Sequence, residues 1–408
     1  MTSERNPLGF DRRGGASGKL LPCNDFTLSR RWTRRTTRLL GCVILAMFIS
    51  ACASRQTGTL LPVHETVSGA STVDMIVATT RAKSHKPGVI FTGERGSELS
   101  FANIVVSIPP EANRHVGEVT WPARYPGDPS KEFVTLKVQP IVFGELKPWF
   151  HRHSGPKRRA FVFVHGYNTR YEEAVFRFAQ IVHDSETSGA PILFSWPSRG
   201  TPLNYAYDRE SANYSRTDLE TVLREAVTKS DVDEIVIMAH SMGGWLTIEA
   251  LRQMSIRNGG LPDKIKDVIL AAPDLDVDVF RRQMQDIHTD HTRFTLFVSK
   301  DDRALGLSRL LGGGIDRVGA IDPSKEPYRS AIEETGITVI NLSDLQAGDP
   351  SHHVKFAESG EVVKLIGRRL LEGQKISDGD LTLSKRMRTD IAGTKRAARR
   401  LVHLPIGQ

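Results

Sequence analysis

Length, composition and charge place the sequence among ordinary globular proteins and argue against one class of function. The chain has 408 residues, of which 39% are apolar and 25% charged, enough for one large α/β domain with appendages. Its net charge of +8 comes from the ends, because residues 1–51 and residues 381–408 each contribute +6 and leave −4 on the chain between them. A nucleic-acid-binding domain carries positive charge on its folded body, so we expect no nucleic-acid partner.

The first 51 residues are predicted to be a signal peptide of the bacterial lipoprotein type. Five arginines between residues 30 and 38 precede the uncharged run 39–49, which is too short to span a bilayer but suits a signal-peptide core. The run leads into I-S-A-C (49–52), which resembles a lipobox. This resemblance implies lipidation of Cys52 and, with Ala53 following, an outer-membrane protein of the cell envelope that faces the periplasm. An ordinary secretory signal or a short anchor is the alternative.

The rest of the chain divides into four predicted segments. Residues 52–72 are a polar tether, and residues 73–150 form a β-rich extension in which the period-two pattern predicts strands at 73–79, 103–108 and 133–142. In residues 157–373 apolar strands alternate with helical segments, which predicts a mostly parallel sheet flanked by helices. Residues 374–408 are polar and then basic, and we expect a disordered tail. Strands of the α/β segment are predicted at 160–164, 192–195, 234–239, 267–271, 293–298 and 337–341.

The strongest motif is the segment A-H-S-M-G at residues 239–243. It joins a buried-strand pattern to a helix pattern, which is the arrangement of a nucleophile elbow with Ser241 at the turn. The residues two before and two after such a serine must be small, and Ala239 and Gly243 meet that condition. The alternative is that Ser241 only caps a buried helix.

A second motif, F-V-F-V-H-G-Y-N at residues 161–168, predicts the loop that stabilises the oxyanion. A strand ending in His-Gly typically leads into this loop in hydrolases with an elbow serine. The backbone N–H groups of Tyr167 and Met242 are the candidates for the oxyanion hole. For His165 we favour a structural role in holding the loop.

The acid and base should follow the serine in chain order. S-K-D-D-R-A-L at residues 299–305 places two carboxylates at a strand end, and we prefer Asp302 to Asp301, with Asp274 as a competing site. Two adjacent histidines follow the last strand, and we prefer His353 to His352. The histidines form no organised ligand set, and the three cysteines all lie in the first 52 residues, so neither a metal nor a cofactor is expected.

Seven sequence blocks in order over residues 159–371 resemble the α/β-hydrolase superfamily, in its bacterial esterase/lipase-like branch of largely uncharacterised proteins. The resemblance implies an α/β-hydrolase fold and supports Asp302 and His353 as the acid and base beside Ser241. It also implies a serine hydrolase acting on a small-molecule or lipid ester. The blocks are F-V-H-G-Y-N (163–168), S-W-P-S-R-G (195–200), Y-D-R-E-S-A (207–212), A-H-S-M-G (239–243), A-A-P-D-L-D (271–276), S-K-D-D-R-A-L (299–305) and H-V-K-F (353–356).

Other interpretations stay open at this point. The hydrolase domain could be a catalytically silent binding or assembly module of the envelope, or the basic tail could bind an anionic surface. Thioesterase, peptidase and C–C hydrolase chemistry use the same three residue types. Four aromatic side chains are candidates either to line an acyl pocket or to pack in the core, namely Trp196, Tyr205, Tyr207 and Trp245. For Trp245 we favour core packing. The sequence does not indicate an oligomeric state.

Overall fold

The structure is a computed structural model that describes residues 58–346, 348–372 and 388–390. The predicted signal peptide, Cys52 and most of the basic tail lie outside the described residues. The strands are β1 (Ser71–Lys83), β2 (Phe91–Ile108), β3 (Val134–Pro140), β4 (Arg159–Val164), β5 (Ala190–Ser195), β6 (Glu234–His240), β7 (Ile265–Ala271), β8 (Arg293–Val298), β9 (Thr338–Asn341) and β10 (Arg388–Asp390). The helices are α1 (Phe143–His153), α2 (Tyr171–Asp184), α3 (Tyr205–Tyr214), α4 (Arg216–Lys229), α5 (Met242–Asn258), α6 (Val277–Gln285), α7 (Arg303–Leu311), α8 (Tyr328–Thr335), α9 (Lys355–Glu358) and α10 (Gly360–Glu372).

The described strands form one sheet in the order β10-β9-β8-β7-β6-β4-β5-β1-β2-β3. The seven strands from β9 to β1 in this order run parallel to their neighbours. The antiparallel strands β2, β3 and β10 lie outside them, at the two edges. The carboxyl ends of the seven parallel strands therefore share one edge of the sheet, where ligands bind in folds of this class.

Helices cover both faces of the sheet, which explains why the central strands are apolar throughout. All six residues of β4 are buried, as expected for a parallel strand with both faces covered. Val162 and Val164 point into one core, which is shared with α1, α4 and α5. Phe161 and Phe163 point into the other core, which is shared with α2 and α10.

The N-terminal strands belong to this sheet. β1 pairs with β5 in parallel, with Thr79 opposite Ser195, and pairs with β2 on its other side. The hydroxyl of Thr79 donates to the carbonyl of Ser195 over 2.6 Å. β1 thus places its own carboxyl end at the edge where β4, β5 and β6 end. None of the helices in the residues that the structure describes is long and apolar enough to cross a bilayer.

Candidate active site

Ser241 occupies a sharp turn between β6 and α5. Its backbone has φ 53° and ψ −124°, a strained conformation for a residue with a side chain. Its N–H donates to the carbonyl of Ala271 over 3.0 Å. A Cβ at Gly243 would lie 2.3 Å from the carbonyl oxygen of His165, so only glycine fits there. Ala239 on the other side is fully buried, and the turn has the geometry of a nucleophile elbow.

Asp302 and His353 lie at the same edge of the sheet, after β8 and β9. The Oδ2 of Asp302 lies 2.7 Å from the Nδ1 of His353, and the two side chains are 0% and 14% exposed. The other carboxylate oxygen accepts the N–H of Leu305 at the start of α7 over 2.9 Å. Burial works to lower the pKa of His353, but the hydrogen bond and negative charge of Asp302 outweigh it and raise that pKa. Because Nδ1 faces Asp302, Nε2 is the ring nitrogen left to accept a proton.

The ring of His240, the residue before Ser241, packs against His353. It lies 4.7 Å from the ring of His353 and 4.7 Å from that of Phe356, measured between centroids. Burial, followed by the charge on His353, holds the pKa of His240 well below its usual value, so this ring stays neutral. Among the described residues the Ser241 hydroxyl makes no hydrogen bond, and such contacts often tighten only when substrate binds.

The neighbouring acid and histidine form a different cluster, which we call the Lys355 clamp. The Nδ1 of His352 lies 2.7 Å from the Oδ2 of Asp301, and the buried ammonium of Lys355 donates to both Asp301 oxygens over 2.8 and 2.9 Å. It also donates to the hydroxyl of Ser299 over 3.1 Å. Burial opposes the charged form of Asp301, but its bonds to Lys355, Ser299 and His352 lower its pKa overall. The clamp joins the loop after β8 to the loop that carries both histidines.

The competing carboxylate, Asp274, is engaged elsewhere. It accepts hydrogen bonds from the hydroxyls of Tyr205 over 3.0 Å and Ser308 over 2.5 Å. Asp276 instead caps α6, accepting the N–H groups of Asp278 and Val279 over 3.0 and 3.2 Å. Asp302 is therefore the carboxylate that the structure pairs with His353.

The predicted oxyanion loop lies directly against the serine. A Cβ at Gly166 would come within 2.9 Å of the Cβ of Ser241, so the missing side chain allows the close approach. Tyr167 follows in the loop, and Met242 is the first residue of α5, where backbone N–H groups lack helical acceptors. The N–H groups of the next two residues have other roles, since Asn168 donates to Asp208 over 3.1 Å and Thr169 to the hydroxyl of Ser198 over 3.0 Å.

Arg81 on β1 holds this loop from below, and the sequence reasoning missed it. The guanidinium is 1% exposed and donates to the Ser195 hydroxyl over 2.9 Å, to the Ser198 carbonyl over 2.8 Å and to the Thr169 carbonyl over 2.9 Å. It also lies 3.2 Å from Nε2 of His165. Burial lowers the pKa of Arg81 to about 10.

His165 is built into the scaffold under the loop. Its ring stacks on Trp196 at 5.0 Å, and its Nδ1 lies 2.8 Å from the carbonyl oxygen of Gly166. Burial and then the charge of Arg81 lower the pKa of His165 to about 3. The ring stays neutral, as suits a structural histidine.

Asp208 is a second residue that the sequence reasoning did not single out. Its fully buried carboxylate accepts the Asn168 N–H over 3.1 Å, the Arg199 N–H over 3.0 Å and the Ser198 hydroxyl over 2.5 Å. Burial raises its pKa. Asp208 therefore ties the oxyanion loop to the loop that follows β5.

The four aromatic residues considered for an acyl pocket have different positions. Trp196 is fully buried and donates its indole N–H to the His165 carbonyl over 2.8 Å, so it belongs to the core. Tyr205 stands edge-on to Tyr167 at 5.2 Å and lies beside the oxyanion loop. Tyr207 lies under the guanidinium of Arg199, and Trp245 packs against the core. No group of three or more His, Cys, Asp or Glu side chains suited to a metal ion occurs within the described residues.

Comparisons with known proteins bear on the fold of the chain. The family described as "Alpha/beta hydrolase of unknown function (DUF900)" matches residues 144–369, more than half of the chain. No curated protein matches the chain. Solved structures to which the chain is similar include a "predicted CIB-like hydrolase" from Thermoplasma acidophilum, with 17% identity, coverage of 53% of this chain and 88% of that one, and a TM-score of 0.30. Another is a "putative cell surface hydrolase" from Lactobacillus plantarum WCFS1, with 13% identity, coverage of 56% and 98%, and a TM-score of 0.37. The predicted α/β-hydrolase fold is confirmed.

Proposed function

The chain belongs to the family of alpha/beta hydrolases of unknown function, and we propose that it is a serine hydrolase that cleaves carboxylic esters through an acyl-enzyme on Ser241. The family supports hydrolase activity, and the finer assignment is argued from the site. The observation that carries it is the buried 2.7 Å contact between Asp302 and His353 at the strand edge where Ser241 stands on its elbow.

The proposed reaction assigns one role to each residue. His353 accepts the hydroxyl proton of Ser241 at Nε2, and the serine oxygen attacks the ester carbonyl carbon. The backbone N–H groups of Tyr167 and Met242 stabilise the oxyanion that forms. His353 then gives the proton to the departing alcohol, and water, activated in the same way, releases the carboxylic acid. Asp302 orients His353 and stabilises its charged form.

Labelling with a fluorophosphonate probe tests the nucleophile directly. The wild-type protein should react, and Ser241→Ala should lose both labelling and turnover of short acyl esters. Ser324→Ala, which removes an exposed serine, is the matched control and should behave as wild type. Labelling that persists in folded Ser241→Ala would contradict the assignment. A wild-type protein that neither labels nor turns over esters would favour the silent binding module instead.

The same proposal includes an anchor at Cys52 in the bacterial cell envelope. It is supported by the order of arginines, apolar run and cysteine in the sequence. Lipid chains hold a protein to a membrane because each buried CH₂ contributes about 0.8 kcal/mol. Mass spectrometry of the mature N-terminal peptide should find a diacylated cysteine, and Cys52→Ala should lose it. An unmodified N-terminus or cleavage at another residue would contradict the anchor.

A further inference from the structure

An exposed apolar surface lies on α7 and the adjacent loops. Leu307, Leu310 and Leu311 are 58%, 75% and 61% exposed, and their spacing puts them on one side of the helix. The opposite side holds the buried Leu305 and Ser308. Two further exposed apolar residues lie in nearby loops of the chain: Leu203, which is 97% exposed and precedes α3, and Ile315, which is 40% exposed and follows α7 by four residues. We call these five exposed residues (Leu203, Leu307, Leu310, Leu311 and Ile315) the leucine face.

The leucine face is carried by the helix that begins at the proposed catalytic acid. Helix α7 begins directly after Asp302, which caps it. In the middle of the helix, the hydroxyl of Ser308 lies 2.9 Å from that of Tyr205, and Tyr205 contacts Tyr167 of the oxyanion loop at 5.2 Å. Leu203 precedes Tyr205 by two residues. A cluster of exposed apolar side chains on a surface helix marks a place where an apolar partner would be met.

The charge of α7 fits an anionic lipid surface. The helix has the sequence RALGLSRLL, with two arginines and no acidic residue. Among the described residues, Arg303 has no carboxylate partner and donates to the carbonyl of Pro350 over 3.2 Å. Arg309 pairs with Asp316 at 2.8 Å. The leucines together with Arg303, whose charge no carboxylate neutralises among the described residues, suit the boundary between acyl chains and acidic headgroups.

The chain enters the described domain near the edge of the sheet that bears Ser241. Gly58 packs against the turn between β1 and β2, where a Cβ at Gly88 would lie 2.5 Å from the Gly58 carbonyl oxygen. That turn follows the carboxyl end of β1, at the edge of the sheet that bears Ser241. Cys52 lies six residues before Gly58, a length that reaches about 20 Å at most. A lipid on Cys52 would therefore keep Gly58 within about 20 Å of the bilayer.

We propose that the leucine face docks on a bilayer containing anionic phospholipid and thereby presents Ser241 to acyl lipids in that membrane. The inference rests on the proposed serine-hydrolase function and the anchor at Cys52. It deepens both, because it names the physical state of the substrate. Docking would bury leucine side chains that otherwise face water, which is favourable for each of them.

Fluorescence of a single labelled position tests the docking independently of catalysis. The protein's own cysteines all precede residue 53, so an introduced cysteine reports on one surface, with the unsubstituted protein as the labelling blank. Leu307→Cys and Ile256→Cys form a matched pair, since both side chains are 58% exposed and Ile256 lies in the last turn of α5, far from the edge that bears Ser241. Full-length protein purified from membranes would carry an environment-sensitive dye and be reconstituted in phosphatidylethanolamine vesicles with a minor fraction of phosphatidylglycerol.

When vesicles are present, the fluorescence emission of the label at position 307 should shift to the blue and be quenched by lipid-borne quenchers. The emission of the label at position 256 should show neither change. Equal behaviour of the two labels would overturn the proposal. A blue shift at 307 that appears without vesicles and depends on protein concentration would also overturn it, because a second copy would then cover the face. A blue shift that appears without vesicles at every protein concentration would also overturn the proposal, because another part of the same chain would then cover the leucine face.

Measurements of ester turnover provide a second test of the docking. The double variant Leu310→Ser/Leu311→Ser should lose at least about tenfold in turnover of an ester embedded in vesicles and retain turnover of a dissolved short ester. Ile256→Ser should keep both activities. Equal loss on both substrates would overturn the proposal, since the change would then act on the site itself. If Ser241 proves unreactive while the label at 307 still enters the bilayer, the function fails and the docking stands.

Discussion

Exchange of the two neighbouring aspartates for asparagine separates the proposed catalytic acid from the clamp. Asp302→Asn retains the shape and the ability to cap α7, because asparagine is also a good capping residue. It removes the negative charge that faces His353 at 2.7 Å. We expect turnover to fall roughly 10³–10⁴-fold, which corresponds to about 4–5.5 kcal/mol of transition-state stabilisation.

The pH dependence should change in a defined direction. The reaction needs neutral His353, so kcat/KM of the wild type should rise with pH along a limb above the ordinary histidine pKa of about 6.5, because the pKa of His353 is raised. In Asp302→Asn the two largest contributions that raise it are gone, burial still lowers it, and only the smaller contributions of Asp274 and Asp349 still raise it. The limb should therefore move to lower pH while the maximum falls.

Asp301→Asn is the matched control, with the opposite expected outcome. It leaves the buried ammonium of Lys355 without its anionic partner, and loss of one member of a buried pair costs roughly 3–5 kcal/mol. Because the Asp301 side chain is 36% exposed, we expect about 3 kcal/mol or less, equivalent to a fall in Tm of at most roughly 5 °C for a domain of this size. Most of the turnover should survive at low temperature.

Steady-state kinetics on a short ester over a pH series, with circular dichroism to verify folding, gives both results. The assignment of Asp302 as the acid would be refuted by the reverse result. In that case folded Asp301→Asn would lose about 10³–10⁴-fold in turnover, and Asp302→Asn would keep most of its activity.

Three further substitutions test the supports of the site. Gly243→Ala should prevent the elbow from forming, because its Cβ would lie 2.3 Å from the backbone oxygen of His165; soluble protein with wild-type Tm and turnover would contradict this. Arg81→Lys should lower stability by about 1–3 kcal/mol and reduce turnover, because an ammonium cannot reproduce a buried guanidinium fork; denaturant unfolding and kinetics would measure both. Asp208→Ala leaves the N–H groups of Asn168 and Arg199 without an acceptor, at about 1–3 kcal/mol each, and an unchanged unfolding midpoint would count against that role.

The sequence could predict those parts of the site whose geometry depends only on residues close together in the chain. The elbow is recognisable because small residues at fixed offsets from Ser241 are a local requirement. The partner residues were harder, because Asp301 and His352 are separated by 51 positions and so are Asp302 and His353. Spacing cannot tell these pairs apart, and only the fold decides which pair is buried.

The residues that the sequence reasoning missed are held by distant partners. Arg81 is buried by groups that lie 84 to 117 residues further along the chain, so nothing near it in sequence marks it as internal. Asp208 lies on α3, a polar helix that apolar periodicity does not predict. Helix α1 was missed as well; it contains Pro148, which usually argues against a helix.

The pairing of β1 with β5 also makes the support of the oxyanion loop depend on contacts between distant parts of the chain. Thr79 must wait for Ser195, which is synthesised 116 residues later, and contacts so distant in sequence form slowly. Until then Arg81 has no binding site and the oxyanion loop has no support from below. A chain in which β1 has not yet reached β5 would therefore leave the loop next to Ser241 without the buried guanidinium that supports it.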